Sequence, residues 1–306
     1  MGWRSVLISQ PAHLSYKNLA LQIKQDQGQA QVMLEDIAAI VLDNLQITLS
    51  AQLLSACAQC NIAVITVDDT HLPNGVLHGF LPHSRALKVM QAQLGMSRPQ
   101  QKRLWQTLIQ QKIINQASAL TALGQTTACH QLYTFARQVK SGDPDNYEAQ
   151  AAQLYFKTLF GKGFQRRDES LVNAALNYSY SLVRSALARS LVAYGFLPAF
   201  GLQHHNEQNA FNLADDLIEP YRPHIDYWVI QALADIDPQT SDLTTAIKAQ
   251  LVNFLHQDLP RIENNQPQGK STLLALVEAS VISLSQTINQ QAEQPPGLVL
   301  PGAIEL

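Results

Sequence analysis

Over roughly the first eighty positions, apolar and polar residues alternate in short runs. RSVLIS, LSYKN, LALQIKQ and QAQVML read as strands, broken by Pro11, Asn18 and the turn-forming DQGQ. IAAIVLD and IAVITVD are apolar runs that flank SAQLLSACAQC, whose apolar positions recur at helical spacing. Together they predict a strand–helix–strand unit. The Pro- and Gly-containing stretch HLPNGVLHGFLPHS closes this region. From Ser84 onward the period changes to 3.6. SRALKVMQAQL, PQQKRLWQTLIQQKIINQASALTAL, ACHQLYTFARQVK, NYEAQAAQLYFKTLF and SLVNAALNYSYSLVRSALARSLVAYGF all predict helices. Asp145 or Asn146 is the expected cap of the fourth of these, and Gly195 and Pro198 end the fifth. LADDLIEPY should form one or two helical turns, at least two more helices follow residue 222, and the tail QAEQPPGLVLPGAIEL reads as irregular and mobile. The expected fold is therefore α+β. A small β-rich domain (1–80) is followed by a larger α-helical domain (84–306) with an irregular C-terminal tail, and there is no internal repeat.

Composition narrows the class. The chain has 306 residues, 46% of them hydrophobic, enough for a large core, and no apolar run approaches a membrane span. MGWRSVLISQPAH lacks the apolar core and cleavage site of a signal peptide, so a cytoplasmic protein is expected. The three cysteines leave at least one unpaired. Cys57 and Cys60 form CAQC without a second ligand pair, so buried helix cysteines are expected rather than zinc. The net charge of −3 argues against a uniformly basic nucleic-acid binder but leaves room for a local basic stripe.

Candidate chemistry concentrates in one segment. GKST at 269–272 resembles the end of a phosphate loop, but position 264 is Asn where that motif needs Gly, and no strand is expected before it. Asp68 and Asp69 end an expected strand and read chiefly as polar turn residues. By contrast, GLQHHNEQNAFNLADDLIEPYRPHID gathers three histidines and five carboxylates within a chain only 15% charged. Asp216 and Glu219 are three apart and share a helix face with no adjacent lysine, an arrangement that calls for positive charge, which a divalent cation could supply. Alone, ADDLIE fits equally well as a helix N-terminus favoured by the dipole. Glu148, an isolated acid among alanines that let another helix approach, tips the balance. Glu148, His205 and Glu219 would form a mostly hard-oxygen site suited to Mg²⁺ or Mn²⁺. Between 157 and 189 lie Lys157, Lys162, Arg166, Arg167, Arg184 and Arg189 with Tyr155, Phe164, Tyr178 and Tyr180 interleaved. Ordinary helix surface explains these as well as a phosphate grip does, until they are set beside a metal site.

NYEAQAAQLYF, FGKGFQRRD and NAALNYSYSLVRSALARSLVAYGFLPAFGLQHHNEQNAFNLADDLIEPYRP resemble the integrases of CRISPR adaptation, the Cas one family, and most closely its type II members. LSYKNLALQI, MLEDIAAIVLDNLQITLSAQLLSACAQCNIAVITVDD and LWQTLIQQKIINQA extend the likeness over nearly the whole chain. The resemblance implies a homodimer. Two such dimers are bridged by a dimer of the small Cas two partner into a heterohexamer that inserts short double-stranded DNA at a repeat array. It also implies a catalytic metal triad, carried here by Glu148, His205 and Glu219. Asp216 occupies a second acidic position, and His204 is the competing imidazole. Lys162, Arg166, Arg167, Arg184 and Tyr178 are the expected DNA contacts. Ser179 stands where many relatives have Gly. The implied reaction is attack of a DNA 3′-hydroxyl on a phosphodiester, without ATP. A mainly hydrolytic endonuclease and a non-catalytic helical scaffold are the two other readings of the same residues.

Overall fold

The computed structural model describes residues 4–77, 79, 85–237, 239–289 and 297–305; the domain boundary expected at 80–84 and the first two prolines of the tail lie outside them. The N-terminal part contains β1 (Arg4–Ile8), β2 (His13–Lys17), β3 (Ala20–Gln25), β4 (Gly28–Met33), β5 (Ile37–Leu42), β6 (Thr48–Leu49), α1 (Ala51–Gln59), β7 (Ala63–Val67) and β8 (Pro73–Leu77). The remainder contains α2 (Ala86–Leu94), α3 (Arg98–Ala122), α4 (Cys129–Gln138), α5 (Tyr147–Phe160), α6 (Leu171–Ala193), α7 (Asn212–Leu217), α8 (Arg222–Leu233), α9 (Thr245–Val252), β9 (Asp258–Glu263), β10 (Gln266–Thr272), α10 (Leu273–Ile288) and β11 (Val299–Pro301).

Two sheets build the N-terminal part. One has the order β4-β3-β2-β6. The other has the order β1-β5-β7-β8, with β1, β5 and β7 parallel and β8 antiparallel. The predicted crossover is present as β5–α1–β7, and Ser50 caps α1 by accepting from the Leu53 amide at 3.2 Å. IAAIVL and IAVI are continuously apolar because their sheet is covered on both faces there, whereas Thr66, next along β7, is exposed. Ala39, Val41, Ala63 and Ile65 join the core of the helical part. Ile40, Leu42 and Val64, pointing the other way, pack with Leu14, Leu21, Leu53 and Cys57 in a second core. The two parts are therefore joined by a shared sheet. Polar ties add to it: Lys248 Nζ lies 3.0 and 2.9 Å from the two oxygens of buried Asp43, and Arg189 donates to the Asn61 carbonyl at 2.8 Å.

Several expectations need correcting. β8 forms inside the stretch read as a Pro/Gly closure. The 84–306 region is not purely helical, because β9, β10 and β11 make a small antiparallel sheet of order β10-β9-β11. GKST therefore lies within a strand, preceded by another. Its rejection as a phosphate loop rests on Asn264 alone. Cys57 is buried and its thiol is pushed up to about 11, first by burial, but Cys60 is exposed at the end of α1. The described part of the tail is not loose. Val299 and Leu300 are buried, Gly302 donates to the Pro260 carbonyl at 2.8 Å, and Ile304 donates to Ser118 Oγ at 2.9 Å.

The imidazole of His224, on α8, also holds the tail, through Nε2 and the Gly302 carbonyl at 2.8 Å. Burial pulls its pKa down to about 4, whereas an unfolded histidine titrates near ~6.5. The unfolded chain thus takes up a proton that the folded one refuses. Stability is intact above that higher value and is lost as the pH falls through the lower one. Denaturant unfolding of the wild type should lose on the order of 3 kcal/mol from this group between about pH 7 and pH 4. His224→Gln, whose amide can still donate to Gly302, should flatten that slope; an unchanged slope would remove His224 from the acid sensitivity.

Candidate metal and DNA site

Three chain segments converge on α3. This helix starts with Pro99 in its first turn and with Gln100 Oε1 accepting from the Ser97 amide at 2.8 Å. It is buried along most of its second half, where Gln111, Lys112, Asn115, Gln116 and Ser118 are buried together with Ile113 and Ala117. α5 packs against α3 with Ala151 and Tyr155 facing the core, so the small residue three positions after Glu148 does bring a helix close. Asn146 takes the N-cap position of α5, as one of the two expected residues, but its side chain makes no capping bond; Asp143 supplies it. Its carboxylate accepts from the Tyr147 and Glu148 amides, both at 2.9 Å, while Asn146 takes the left-handed conformation that Asn tolerates (φ 54°). Glu219 opens the short 3-10 turn between α7 and α8, and Asn115 Nδ2 fixes this turn by donating to the carbonyls of Pro220 at 2.8 Å and Pro301 at 3.0 Å.

Lys112 Nζ lies 2.7 Å from Glu148 Oε1 and 2.5 Å from Glu219 Oε2. Arg222 Nε takes the other oxygen, Glu219 Oε1, at 2.8 Å. Burial alone would raise the Glu219 pKa, but Arg222 and Lys112 outweigh it and hold the carboxyl at about 2. Burial would likewise lower the Lys112 pKa, but Glu219 and then Glu148 keep it raised, so Lys112 is an ammonium. The expectation that this acidic face lacks a lysine holds only along the sequence; in space two basic side chains face it.

Asp216 does not join that cluster. It is fully buried and accepts from the backbone amides of Leu202 at 2.5 Å, Gln203 at 3.2 Å and His204 at 3.1 Å. Gly201 allows this, because a Cβ there would lie 2.7 Å from Asp216 Oδ2. The same carboxylate accepts from His204 Nδ1 at 2.7 Å, which fixes the tautomer and leaves Nε2 as the nitrogen available to a ligand. The hydrogen bond to Asp216 raises the His204 pKa against partial burial, and the charge of Glu219 adds to the effect. Trp105 packs edge-on against the ring, at 5.8 Å between centroids. His205 points elsewhere. Its Nε2 is 3.2 Å from an Arg98 guanidinium nitrogen, and it lines a cleft of about 480 Å³ with Gln93, Phe200 and Glu207. Of the two imidazoles, it is His204 that feels the Glu219 charge, while His205 meets Arg98; sequence spacing could not separate the two neighbours.

Among the described residues no three His, Cys, Asp or Glu side chains form a ready ligand cluster. The donor chemistry nevertheless fits a hard divalent ion. Two carboxylates from different segments meet at one cation, and Glu219 Oε2 is buried without an aligned hydrogen-bond partner although the Lys112 ammonium touches it. Glu148, Glu219 and His204 are the groups that would hold such an ion.

The basic residues divide. Lys162 and Arg167 are exposed on the loop between α5 and α6. Arg166 is half-buried, donates to Asn173 and, at 2.8 Å, to Asn177, and sits 5.4 Å from the Tyr180 ring centre, which Arg222 approaches to 4.6 Å. Arg166 and Arg222 line a cavity of about 250 Å³ with Lys112, Gln116, Glu219 and Asp226. Tyr180 donates to Asp226, whose carboxyl burial raises to about 6. Arg184 is committed to Asp215, at 2.6 and 3.1 Å. The expectation that Tyr178 touches DNA is corrected: it is fully buried in the core. Ser179 is buried too, with its hydroxyl unpartnered, so a Gly there would lose no bond. Sequence reading missed Lys112, Arg222 and Trp105. A lone lysine in the most buried stretch of α3 was the available signal. A larger cavity, about 890 Å³, lies between α3, α4 and the β9–β10 hairpin and is lined by none of the candidate site residues.

The family described as CRISPR associated protein Cas1 matches residues 6–253. The CRISPR-associated endonuclease Cas1 of Neisseria meningitidis serogroup C (strain 8013) is 44% identical over 276 residues, 90% of this chain and 89% of that protein. Two solved structures share the fold. A casposase bound to an integration product gives a TM-score of 0.77 at 16% identity, covering 95% of this chain and 92% of that one. A Cas6-RT-Cas1–Cas2 complex gives 0.68 at 18%, covering 94% of this chain and 35% of that one. No helix among the described residues is long and apolar enough to cross a membrane.

Removing the Asp216 carboxylate strands three backbone amides and the imidazole of His204. Asp216→Ala should cost roughly 3–5 kcal/mol in denaturant unfolding, against less than about 0.5 kcal/mol for His205→Ala. Equal losses in the two variants would contradict the anchoring role.

Proposed function

The chain belongs to the Cas1 family of CRISPR-associated proteins, and from that premise we propose that it joins the 3′-hydroxyl ends of short double-stranded DNA to a repeat array by transesterification, using Mg²⁺ or Mn²⁺. The observation that carries the reading is the convergence of Glu148 and Glu219, from distant parts of the chain, on a single positive charge. The family and the likeness in fold to a casposase bound to an integration product support it. A homodimer, and a heterohexamer with a Cas2 dimer, belong to the same proposal; the fold shared with a Cas1–Cas2 complex is its support.

Held by Glu148, Glu219 and Nε2 of His204, a divalent ion would lower the pKa of the attacking hydroxyl and offset charge at the phosphorus. The protein's own groups do the rest. Asp216 keeps the proton of His204 on Nδ1, so that Nε2 presents its lone pair. Arg166, Arg167 and Lys162 grip backbone phosphates. One P–O bond forms to the incoming 3′-oxygen as another breaks and frees the 3′-oxygen of the repeat strand, so phosphodiesters are conserved and no nucleotide is consumed. The Neisseria relative is named an endonuclease, which favours a second reading in which water attacks at the same site.

Labelled 3′-OH DNA incubated with a supercoiled repeat plasmid distinguishes them: joined product supports the integrase, cut product alone supports the nuclease. Glu148→Ala should abolish joining. His204→Ala should lower it by about a hundred-fold or more, with His205→Ala within about three-fold of wild type. The reverse order would return the ligand role to His205. Arg166→Ala and Arg167→Ala should each lower the salt slope of DNA binding by about one. If Mn²⁺ fails to raise the melting temperature of the DNA-bound protein and EDTA leaves joining and cutting unchanged, the non-catalytic scaffold is the correct reading.

A further inference from the structure

Two buried or partly buried acids, Glu148 and Glu219, carry two negative charges, and Lys112 and Arg222 return two positive ones. The cluster is therefore already neutral. Adding a divalent ion to it leaves an excess of two positive charges beside a buried carboxylate, which is unfavourable unless a cation leaves or an anion arrives. Arg222 is fixed by its stacking on Tyr180. Lys112 has somewhere to go. It lines the cavity of about 250 Å³ shared with Gln116, one helical turn further along α3. Gln116 is buried, and its Oε1 has no hydrogen-bond partner. A buried acceptor left empty is costly, and an ammonium swung away from the glutamates would fill it.

Resting on the metal-dependent reading above, we propose that Lys112 is a resident counter-ion: its ammonium holds the two glutamates together and excludes divalent ions until DNA arrives, then turns towards Gln116 and the incoming phosphate. Lys112 is thus a positioning residue that couples ion binding to DNA binding. The phosphate supplies the negative charge that lets three cations share the site. Free protein binds divalent ions weakly, and DNA-bound protein binds them well.

Mn²⁺ binding to the full chain, followed by electron paramagnetic resonance, tests this without reading activity. Lys112→Met should bind Mn²⁺ about ten-fold or more tightly than wild type in the absence of DNA. A short DNA duplex should tighten the wild type and leave Lys112→Met nearly unchanged, and adding Glu148→Gln to Lys112→Met should abolish the gain. Equal, Glu148-dependent affinity in wild type and Lys112→Met overturns the counter-ion role while leaving the metal site standing. No Mn²⁺ binding by either, with or without DNA, overturns both. Lys112→Met leaves Glu148 without its cation and Glu219 with Arg222 alone, and can fail to fold, so the wild type is also read directly. The Lys112 side-chain ammonium NMR signal, assigned by its loss in Lys112→Arg, should move when Mg²⁺ and DNA are added together. A signal that stays in place while Mg²⁺ binds overturns the proposal.

Discussion

One ammonium group, Lys112 Nζ, sits where α3, α5 and the turn after α7 meet, and the structure around it follows from the need to keep two carboxylates next to each other. Like charges at that separation repel, and the low-dielectric interior would neutralise one of them by protonation. Lys112 and Arg222 prevent this and keep Glu219 ionised. Breaking such a buried pair costs several times what an exposed pair contributes. The site is thus an electrostatic compromise before any ion or DNA is present.

The surroundings serve that compromise. Asn115, one turn beyond Lys112 on α3, ties the Glu219 turn to the C-terminal strand through the carbonyls of Pro220 and Pro301. His224 and Ser118 pin the same tail. Asp143 fixes the first turn of α5, from which Glu148 projects. Asp216 organises the 201–204 loop, so it positions His204 rather than offering itself to a ligand. The acids of the 201–226 segment therefore play different parts. Asp215 neutralises Arg184, Asp216 anchors a loop, and Glu219 faces Lys112.

Much of the fold was legible because burial and period coincide. The doubly covered stretches IAAIVL and IAVI, helix α1 between them, and the long helices α3 and α6 all carry apolar patterns dictated by their packing. The β9–β10 hairpin was not legible, because QPQGKST is polar and largely exposed and forms a strand through pairing alone. Its signal was the Asn264–Asn265 pair, both at positive φ, a two-residue turn that joins antiparallel strands. The tail was misread because its prolines suggest irregularity, yet Pro301 closes a strand at the sheet edge, where a missing amide is tolerated. Within the site, Glu148 could be found as an acid with no base within a helical turn, and Glu219 as one with Arg222 three residues on. Their partner, Lys112, could not, since spacing along a chain says nothing of which distant lysine will face them. Nor could spacing decide between His204 and His205, whose roles separate only when Asp216 takes one ring and Arg98 the other.

A crystal of the DNA-bound protein soaked in MnCl₂ and measured at the manganese edge tests the central claim most directly. The expected result is an anomalous peak bounded by Glu148, Glu219 and His204, with the Lys112 ammonium moved off both glutamates. A peak beside His205, or none with Lys112 still bridging the two acids, would contradict it.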